Sequence, residues 1–411
     1  MTLTSTDPAA TGPSPAPTVE EFAAEAEAFL ATHAPRREPG GRRFVWGEGS
    51  DVVELFKTTG DAEIAAARRW RRTLFDGGLG WITGPVAHGG RGLGRAHQKA
   101  FDALENRFNV APRALFSISL GCVAPTIADF GCDAQQQRWL APMHRGDVLG
   151  CQLFSEPGAG SDLAGVRTAA VRDGDHWRLT GQKVWTSRAR FSDVGLLLAR
   201  TSPGPRHGNL TMFLVPMDAP GVLVRPLREM TGGEEFNEVF LDNVVVEDTH
   251  RIGAVGEGWH VARGTLAHER SATGGGGAGG GGIMRIDRLI ALIEEFGMQD
   301  DPETRRLFGE AYLGLVTARV SRTRTEGALR HGRPPGPEAS AGKLEMTRNL
   351  ARIADLVRHV LGDRLVADTG EWGTYAWSDM VLGVPGLRIA GGTDEIQRTI
   401  IAERVLHLPR E

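Results

Sequence analysis

The sequence predicts an α+β protein, mostly helical, in which a central β domain separates two helical domains. Apolar side chains recur at helical spacing before residue 151 and again from Gly258 onwards. Between these regions, short β-rich runs alternate with Gly- and Pro-rich turns. We therefore expect a disordered tail at 1–17, an N-terminal helical domain at 18–150, a central β domain at 151–257 and a C-terminal helical domain at 258–411.

The N-terminal helical domain is predicted from capping and spacing. Thr18 is a suitable N-cap for a helix in which Val19, Phe22, Ala26 and Leu30 share one face. Further amphipathic segments predict helices at 61–75, 95–107, 125–131 and 134–140. The Gly-rich segments between them are predicted to be loops.

The central region is predicted to be a small antiparallel sandwich or barrel of about 100 residues. Turn signals such as Asp173-Gly174-Asp175 and Ala219-Pro220-Gly221 separate its β-rich runs. The predicted strands lie at 166–171, 176–179, 194–200, 211–216, 222–226 and 239–246.

The C-terminal region is predicted to be helical, with one unusual interruption. Helical spacing is found at 259–270, 283–296, 303–327, 343–366 and 395–406, with a Pro- and Gly-rich loop at 331–340. The Gly-rich run at 274–282 opposes a helix by about 1 kcal/mol per Gly relative to Ala. A flexible linker would explain it, but the strong helical patterns on both sides favour a close backbone approach to a ligand or a facing helix.

Composition and charge argue against several classes of function. A net charge of −4 over 411 residues gives no electrostatic reason to expect nucleic acid or a membrane as a partner. No apolar run approaches the roughly 20 residues that span a bilayer. The tail lacks the basic start and apolar core of a signal peptide, and three cysteines without metal-ligand spacing fit a reduced cytoplasm. The twelve histidines form no metal motif, so no metal is expected.

A Gly-rich loop follows Cys151 and is the first candidate for a binding site. Gly158 and Gly160 let the backbone approach a ligand closely, while Ser155 and Ser161 add hydroxyl groups. Such a loop suits an anionic ligand with many acceptors, such as a cofactor pyrophosphate. A surface turn is the ordinary alternative.

Three further clusters carry candidate chemistry, each with an ordinary structural alternative. At 181–187, Trp185 could pack on a flat ring and Ser187 could bond its edge, or Trp185 could simply be a core residue. Glu269 and Arg270 place an acid beside a base, which could also be a solvated ion pair. At 390–398, a Gly turn is capped by Thr393 before an amphipathic helix.

Taken together, the motifs resemble those of the flavin-dependent acyl-CoA dehydrogenase family. The strings Phe154-Ser155-Glu156-Pro157-Gly158-Ala159-Gly160-Ser161-Asp162 and Gly181-Gln182-Lys183-Val184-Trp185-Thr186-Ser187 are similar to its two flavin-contacting segments. Phe236-Asn237-Glu238-Val239-Phe240 resembles a strand of its β domain, and Gly392-Thr393-Asp394-Glu395-Ile396-Gln397-Arg398 resembles its C-terminal signature. The motifs follow the family order along most of the chain.

The resemblance implies a fold and a cofactor. Similar proteins have an N-terminal helical domain, a central β domain and a C-terminal four-helix bundle, and hold FAD non-covalently between the last two and across a subunit boundary. The residues that match FAD-contacting positions are Gln152, Phe154, Ser155, Ser161, Trp185, Ser187, Thr393 and Glu395. Those that match substrate-contacting positions are Ser161, Arg270 and Gly392.

The resemblance also implies the reaction and its base. A carboxylate removes the α-proton of an acyl-CoA thioester while a hydride passes to flavin N5. In much of the family the base immediately precedes the Gly-Thr pair of the C-terminal signature, but here that position is Gly391. Some members, similar to isovaleryl-CoA and long-chain acyl-CoA dehydrogenases, place a Glu on the helix before the bundle. Glu269 matches that place and is the predicted catalytic residue.

The sequence leaves several functions open. The leading hypothesis is a cytoplasmic acyl-CoA dehydrogenase that passes electrons to an electron-transfer flavoprotein and forms a homo-oligomer, either a dimer or a tetramer. A second is an oxidase, or an enzyme acting on an acyl chain bound to a carrier protein. A third is a non-catalytic FAD-binding subunit, which Gly391 favours and Glu269 opposes.

Overall fold

A computed structural model describes most of the chain, and the α+β class is confirmed. The described residues are 16–37, 44–48, 51, 53, 60–272, 285–330, 336–337 and 339–409. The predicted tail except Ala16 and Pro17, the Gly-rich run at 274–282 and most of the loop at 331–340 lie outside them.

The N-terminal region is helical, as its spacing predicts. Thr18 caps the first helix through a capping box, in which its hydroxyl accepts from the Glu21 N–H and the Glu21 carboxylate accepts from the Thr18 N–H. Phe22 and Phe101 join a shared core between the first and third helices. The helices are α1 (Val19–His33), α2 (Asp61–Asp76), α3 (Arg95–Glu105), α4 (Ala124–Phe130) and α5 (Asp133–Arg145).

A π-helical turn at Ser119–Val123 leads directly into α4. Apolar spacing at 3.6 residues per turn does not encode such a turn, and the sequence did not predict it. π-Helical turns often occur near functional sites, because the extra residue redirects side chains that a regular helix would aim elsewhere.

The central region forms a sheet that is mixed, not antiparallel as expected. Strand β1 pairs in parallel with β4, with Gln152 opposite Leu196, and one residue pair joins β2 to β4 in parallel. Within the described residues, the strand order is β6-β7-β3-β2-β4-β5-β8, with β1 beside β4. The strands are β1 (Gly150–Leu153), β2 (Ala169–Asp173), β3 (His176–Ser187), β4 (Val194–Arg200), β5 (Leu210–Pro216), β6 (Val222–Pro226), β7 (Phe236–Glu247) and β8 (Arg251–Ile252).

Strands β4 and β5 are buried on both faces, which explains their nearly continuous apolar sequences. On one face, Leu196 and Met212 pack against helices of the N-terminal and C-terminal regions. On the other, Leu197 and Phe213 share a second core with Trp177 and other side chains of β3 and β7. The sheet therefore curves around one apolar core and presents another to the helices.

The C-terminal region is helical, and one of its helices was missed. Helix α10 contains Gly383, Pro385 and Gly386, which argue against a helix on local propensity. Burial of Trp377 and Met380 in the core of the C-terminal helices outweighs that preference. The helices are α6 (Gly258–Ala272), α7 (Ile286–Glu295), α8 (Pro302–Arg330), α9 (Ala339–Leu361), α10 (Ala376–Ile389) and α11 (Asp394–Arg404).

Candidate functional site

The Gly-rich loop after β1 is a closed turn. Phe154, at its start, is buried in the core between the sheet and the helices. Glu156 and Ala159 exchange two backbone hydrogen bonds of 3.0 Å, which close the turn around Pro157 and Gly158. Ser161 lies exposed at the far end of the loop. The loop therefore has a fixed base and an accessible tip.

A fully buried lysine fixes the base of this loop. The Lys183 ammonium group donates to the Phe154 carbonyl at 3.0 Å, to Glu156 Oε1 at 2.8 Å and to the Leu198 carbonyl at 2.8 Å. The Glu156 carboxylate also accepts from the backbone N–H groups of Arg167 and Thr168, at 2.6 and 2.9 Å. Every proton of the ammonium group is thus used, which is what makes a buried charge tolerable.

The Glu156 carboxylate is held in its ionised form. Burial alone would raise its pKa, but the positive charge of Lys183 and the hydrogen bonds from Lys183, Thr168 and Arg167 outweigh that effect. The pKa of Glu156 therefore lies below its usual range. Sequence reasoning did not identify this pair, although Lys183 occupies an inward position of a strand, where a charged residue requires a partner.

The structure brings the two motifs of the β domain together. The Val184 N–H donates to the Ser155 carbonyl at 2.9 Å, so Phe154 and Ser155 lie beside the segment that carries Trp185. Ser187 ends the same strand and lines a small cavity with Ser119, Gly150 and other residues. The hydrogen bond thus joins the two motifs, with Phe154 buried in the core and Trp185 exposed.

Trp185 has an unusual backbone conformation. Its φ angle is +60°, in the left-handed region that a bulky residue rarely adopts, and two residues of β3 oppose one of β7 at this point. Its ring is 61% exposed and meets Phe236 edge-on at 6.0 Å. The bulge therefore presents a large aromatic ring to the surface at a strained position, as is common at ligand sites.

A second group of candidates forms around α6. Leu266 packs against the core that contains Phe154, and Glu269 lies one turn further along the helix. A Cβ atom built on Gly391 would lie 3.5 Å from Oε1 of Glu269. The carboxylate therefore reaches the backbone position that the C-terminal signature supplies. The side chain of Arg270 lies outside the described part of the structure.

Side chains hold the turn at Gly391 and Gly392 through hydrogen bonds to its carbonyls. Both residues have positive φ angles, +63° and +84°, which glycine adopts at little cost. The Lys343 ammonium group donates to the Gly392 carbonyl at 2.8 Å, and the Gln397 amide donates to the Gly391 carbonyl at 3.0 Å. Asp394 is also buried, and accepts from Arg388 and Thr347 at 2.9 Å each. The carbonyls of the turn are thus fixed by side chains.

The remaining C-terminal candidates lie at the start of α11. Thr393 is its N-cap and accepts from the Ile396 N–H at 3.2 Å. Glu395 is exposed, and hydrogen bonds from its own N–H and from Thr393 lower the pKa of its carboxyl. Gln152 lies on β1, opposite Leu196 of the neighbouring strand β4. Thr393 and Glu395 thus lie directly after the turn at Gly391 and Gly392.

Cys122, in the π-helical turn, lies close enough to Glu269 for the charge of the carboxylate to affect the pKa of the thiol. Burial and the negative charge of Glu269 together raise the pKa of the Cys122 thiol to about 12. The thiol is therefore protonated at neutral pH. Among the described residues, no cluster of His, Cys, Asp or Glu could hold a metal ion, and no helix could cross a membrane.

Comparison with known proteins identifies the family. Sequence models of the acyl-CoA dehydrogenase N-terminal, middle and C-terminal domains match residues 42–147, 151–244 and 256–406. The chain belongs to the acyl-CoA dehydrogenase family. Members of this family are flavin-dependent oxidoreductases, so the chain is an enzyme of acyl-CoA dehydrogenation.

Similar acyl-CoA dehydrogenases cover nearly the whole chain. IpdE1 of Mycobacterium tuberculosis is 38% identical over 397 residues, which cover 96% of this chain and 98% of IpdE1. A solved variant of the Tcur3481–Tcur3483 steroid ACAD is 26% identical, with a TM-score of 0.71 over 96% of this chain and 99% of that one. The ChsE4–ChsE5 complex of Mycobacterium tuberculosis is 25% identical, with a TM-score of 0.69 over 97% and 99%.

The residues present fit a flavin. An exposed aromatic ring at Trp185 offers a surface for a flat ring system, and the adjoining Ser155 and Ser187 carry hydroxyl groups for its polar edge. The hydrogen bond between Val184 and Ser155 fixes these groups relative to one another. A Cβ on Gly158 or Gly160 would meet no described atom within 4 Å, so the loop leaves its backbone open to a ligand.

Proposed function

We propose that the protein catalyses the FAD-dependent α,β-dehydrogenation of an acyl-CoA thioester, with Glu269 as the catalytic base. The approach of the Glu269 carboxylate to the backbone of Gly391 carries this proposal. In the acyl-CoA dehydrogenase family the base reaches the substrate from one of these two positions. Glu269 fills from α6 the place that Gly391 leaves without a side chain.

The chain's own residues would act at two ends of the thioester. Glu269 accepts the proton that leaves the α-carbon. The turn at Gly391 and Gly392 offers backbone N–H groups to the thioester oxygen, and the contacts of Lys343 and Gln397 with its carbonyls keep those groups in a fixed orientation. When bound, FAD supplies the acceptor for the hydride that leaves the β-carbon.

The cofactor is proposed to lie between the β domain, 151–257, and the helical bundle, 258–411. Phe154, Ser155, Trp185 and Ser187 would hold its ring system, and the hydrogen bond from the Val184 N–H to the Ser155 carbonyl supports this by joining their two segments. Gln152 would also lie along the ring system, Ser161 would lie near the pyrophosphates of FAD or of the acyl-CoA, and Thr393 and Glu395 would make further contacts with FAD. Ser161, Arg270 and Gly392 would bind the substrate, with Ser161 toward its CoA moiety.

We propose a bulky, ring-bearing acyl group as the substrate. The related Tcur3481–Tcur3483 protein is described as a steroid ACAD. Electrons would pass to an electron-transfer flavoprotein in the cytoplasm. Peroxide release during turnover would instead indicate an oxidase.

We further propose that the chain works as an oligomer, as a dimer or tetramer of itself or together with a related chain. Helix α8 exposes Leu313, Val316 and Val320 at helical spacing, and α10 exposes Leu382 and Ile389. The similar ChsE4–ChsE5 structure is that of a complex. Light scattering of the protein alone and after co-expression with a related chain distinguishes these assemblies, and an active FAD-bound monomer would contradict them all.

The test of the reaction is an anaerobic titration of the FAD-loaded protein. We expect denaturation to release FAD, and a steroid-side-chain acyl-CoA to bleach the flavin absorbance faster than straight-chain acyl-CoAs of several lengths. Bleaching by straight chains alone would overturn the substrate class but not the reaction. A protein that binds no FAD after reconstitution, or that no acyl-CoA bleaches, would overturn the reaction itself.

A further inference from the structure

Helix α6 lies against the π-helical turn and α4 through a close contact. A Cβ on Gly264 would lie 2.5 Å from the ring of Phe130, so only glycine permits the helices to approach this closely. The ring of Phe130 also meets His260 edge-on at 5.3 Å. One turn beyond Gly264, His268 Nε2 is 2.8 Å from Asp129 Oδ2. These contacts hold α6 against α4 over the turns that precede Glu269.

Two hydroxyl groups meet inside this contact. Thr126 and Thr265 are both fully buried, and their Oγ1 atoms are 2.9 Å apart. Thr126 Oγ1 is 2.7 Å from the Cys122 carbonyl, and Thr265 Oγ1 is 3.0 Å from the Val261 carbonyl. Two hydroxyl protons are shared among three contacts, so one threonine donates to the other, and the acceptor keeps its own hydrogen bond to a carbonyl of its helix.

Packing alone does not require hydroxyl groups here. The residues around the pair belong to an apolar core that includes Val123, Ile127 and Ala262. A pair of valines has nearly the same shape and would fill the space without buried polar atoms. A hydrogen-bonded pair differs from such packing because it fixes the register of two helices, as buried polar residues do in coiled coils.

Thr265 precedes Glu269 by four residues, so the two side chains share one face of α6. We infer that the Thr126–Thr265 hydroxyl pair is a positioning device for the catalytic base: it sets the height and rotation of α6 and thereby the place of the Glu269 carboxylate beside Gly391. The inference rests on the proposed role of Glu269. Neither threonine touches the substrate in this scheme, so both are positioning residues.

The test compares Thr265→Val with Thr265→Ser in the FAD-loaded protein. Because misplacing a catalytic group by about 1 Å can cost up to about a hundredfold, we expect Thr265→Val to slow flavin reduction by about ten- to a hundredfold. KM, FAD content and Tm should stay near the parent values. Thr265→Ser keeps the hydroxyl and should restore most of the rate. Thr126→Val removes the hydroxyl group on the other helix and should slow flavin reduction to a similar extent.

A second readout needs no turnover. A 3-thia-acyl-CoA has an acidic α-proton but no hydride to transfer, and its deprotonation beside the oxidised flavin gives a long-wavelength absorbance. Thr265→Val should bind this analogue with an affinity within about twofold of the parent yet develop less of that absorbance. Thr73→Val is the matched control, since Thr73 makes the same bond to a carbonyl four residues back on an exposed face.

Three outcomes would overturn the inference. In the first, both valine variants reduce flavin and bind the analogue as the parent does. In the second, FAD content, Tm and rate fall together and Thr265→Ser does not restore them, which indicates a structural role only. In the third, Glu269→Gln reduces flavin at the parent rate, so the proposed base itself is wrong. If Glu269→Gln loses flavin reduction but Thr265→Val does not, the proposed function stands and only this inference is wrong.

Discussion

The carboxylate of Glu269 and the backbone of Gly391 lie side by side: Oε1 is 3.5 Å from the point where a side chain would leave residue 391. Among the described residues, no other heavy atom comes within 4 Å of that point, leaving aside the chain neighbours of Gly391. One carboxylate on a helix thus covers the place from which a residue of the turn would otherwise act. The proposed proton abstraction depends on this relationship.

Glu269→Gln should keep FAD and bind acyl-CoA but lose flavin reduction. Removing a general base typically costs about 10²–10⁴-fold in rate, while the amide preserves the size of the side chain. Stopped-flow reduction under anaerobic conditions measures the rate, and absorbance after denaturation measures FAD content. A parent-like rate would mean that Glu269 is not the catalytic base.

Moving the carboxylate should restore part of the activity. In the double variant Glu269→Gly with Gly391→Glu, the new side chain enters the space that the Glu269 carboxylate vacates. The positive φ of Gly391 opposes a non-glycine residue by about 1–2 kcal/mol, so restoration should be incomplete. The double variant should reduce flavin faster than Glu269→Gly alone. Equal rates for the two would argue that the positions do not serve the same atom.

Lys183→Met should destabilise the protein strongly. The substitution leaves the Glu156 carboxylate buried without its cation, and breaking a buried pair in this way costs about 3–5 kcal/mol. The Phe154–Ser155 segment loses its anchor as well, so FAD content should fall. The double variant Glu156→Gln with Lys183→Met removes both charges and should unfold at a higher temperature than Lys183→Met. If Lys183→Met keeps the parent Tm, the pair contributes nothing to stability.

Because of the Glu156–Lys183 pair, we also expect the protein to lose stability in acid. The folded-state pKa of Glu156 lies below its unfolded value, so folding favours the ionised carboxylate. Its contribution is complete above the usual carboxyl pKa, and it is lost as the pH falls through the lower folded value. When the free energy of unfolding is measured between about pH 6 and about pH 3, that of the parent should therefore fall relative to that of the Glu156→Gln/Lys183→Met variant. A gap that stays constant over this range would contradict the assignment.

Thiol labelling should distinguish the cysteines. Cys132 is exposed, whereas Cys122 and Cys151 are buried and burial raises the pKa of each thiol to about 12. Ellman's reagent at about pH 8 should modify Cys132 alone in the native protein, because the thiolate is the reactive form. All three cysteines should react after denaturation. Rapid native labelling that persists in Cys132→Ser would show that a buried thiol is accessible.

Local sequence patterns determined much of the secondary structure. Thr18 and Thr393 cap the helices that they were expected to begin, and the continuous apolar runs of β4 and β5 are strands. The order of the motifs along the chain also indicated the family. These features depend on residues close together in the chain, where backbone capping and side-chain periodicity act directly. The sequence alone could therefore determine them.

Tertiary structure decided the rest. Helix α10 forms despite its glycines and proline because Trp377 is buried in a core that distant helices complete. The parallel pairing of β1 with β4, the burial of Lys183 against Phe154 and the approach of Glu269 to Gly391 each join segments far apart in the chain. No local pattern encodes such contacts, since they exist only when packing brings the segments together and repays the entropy of ordering them.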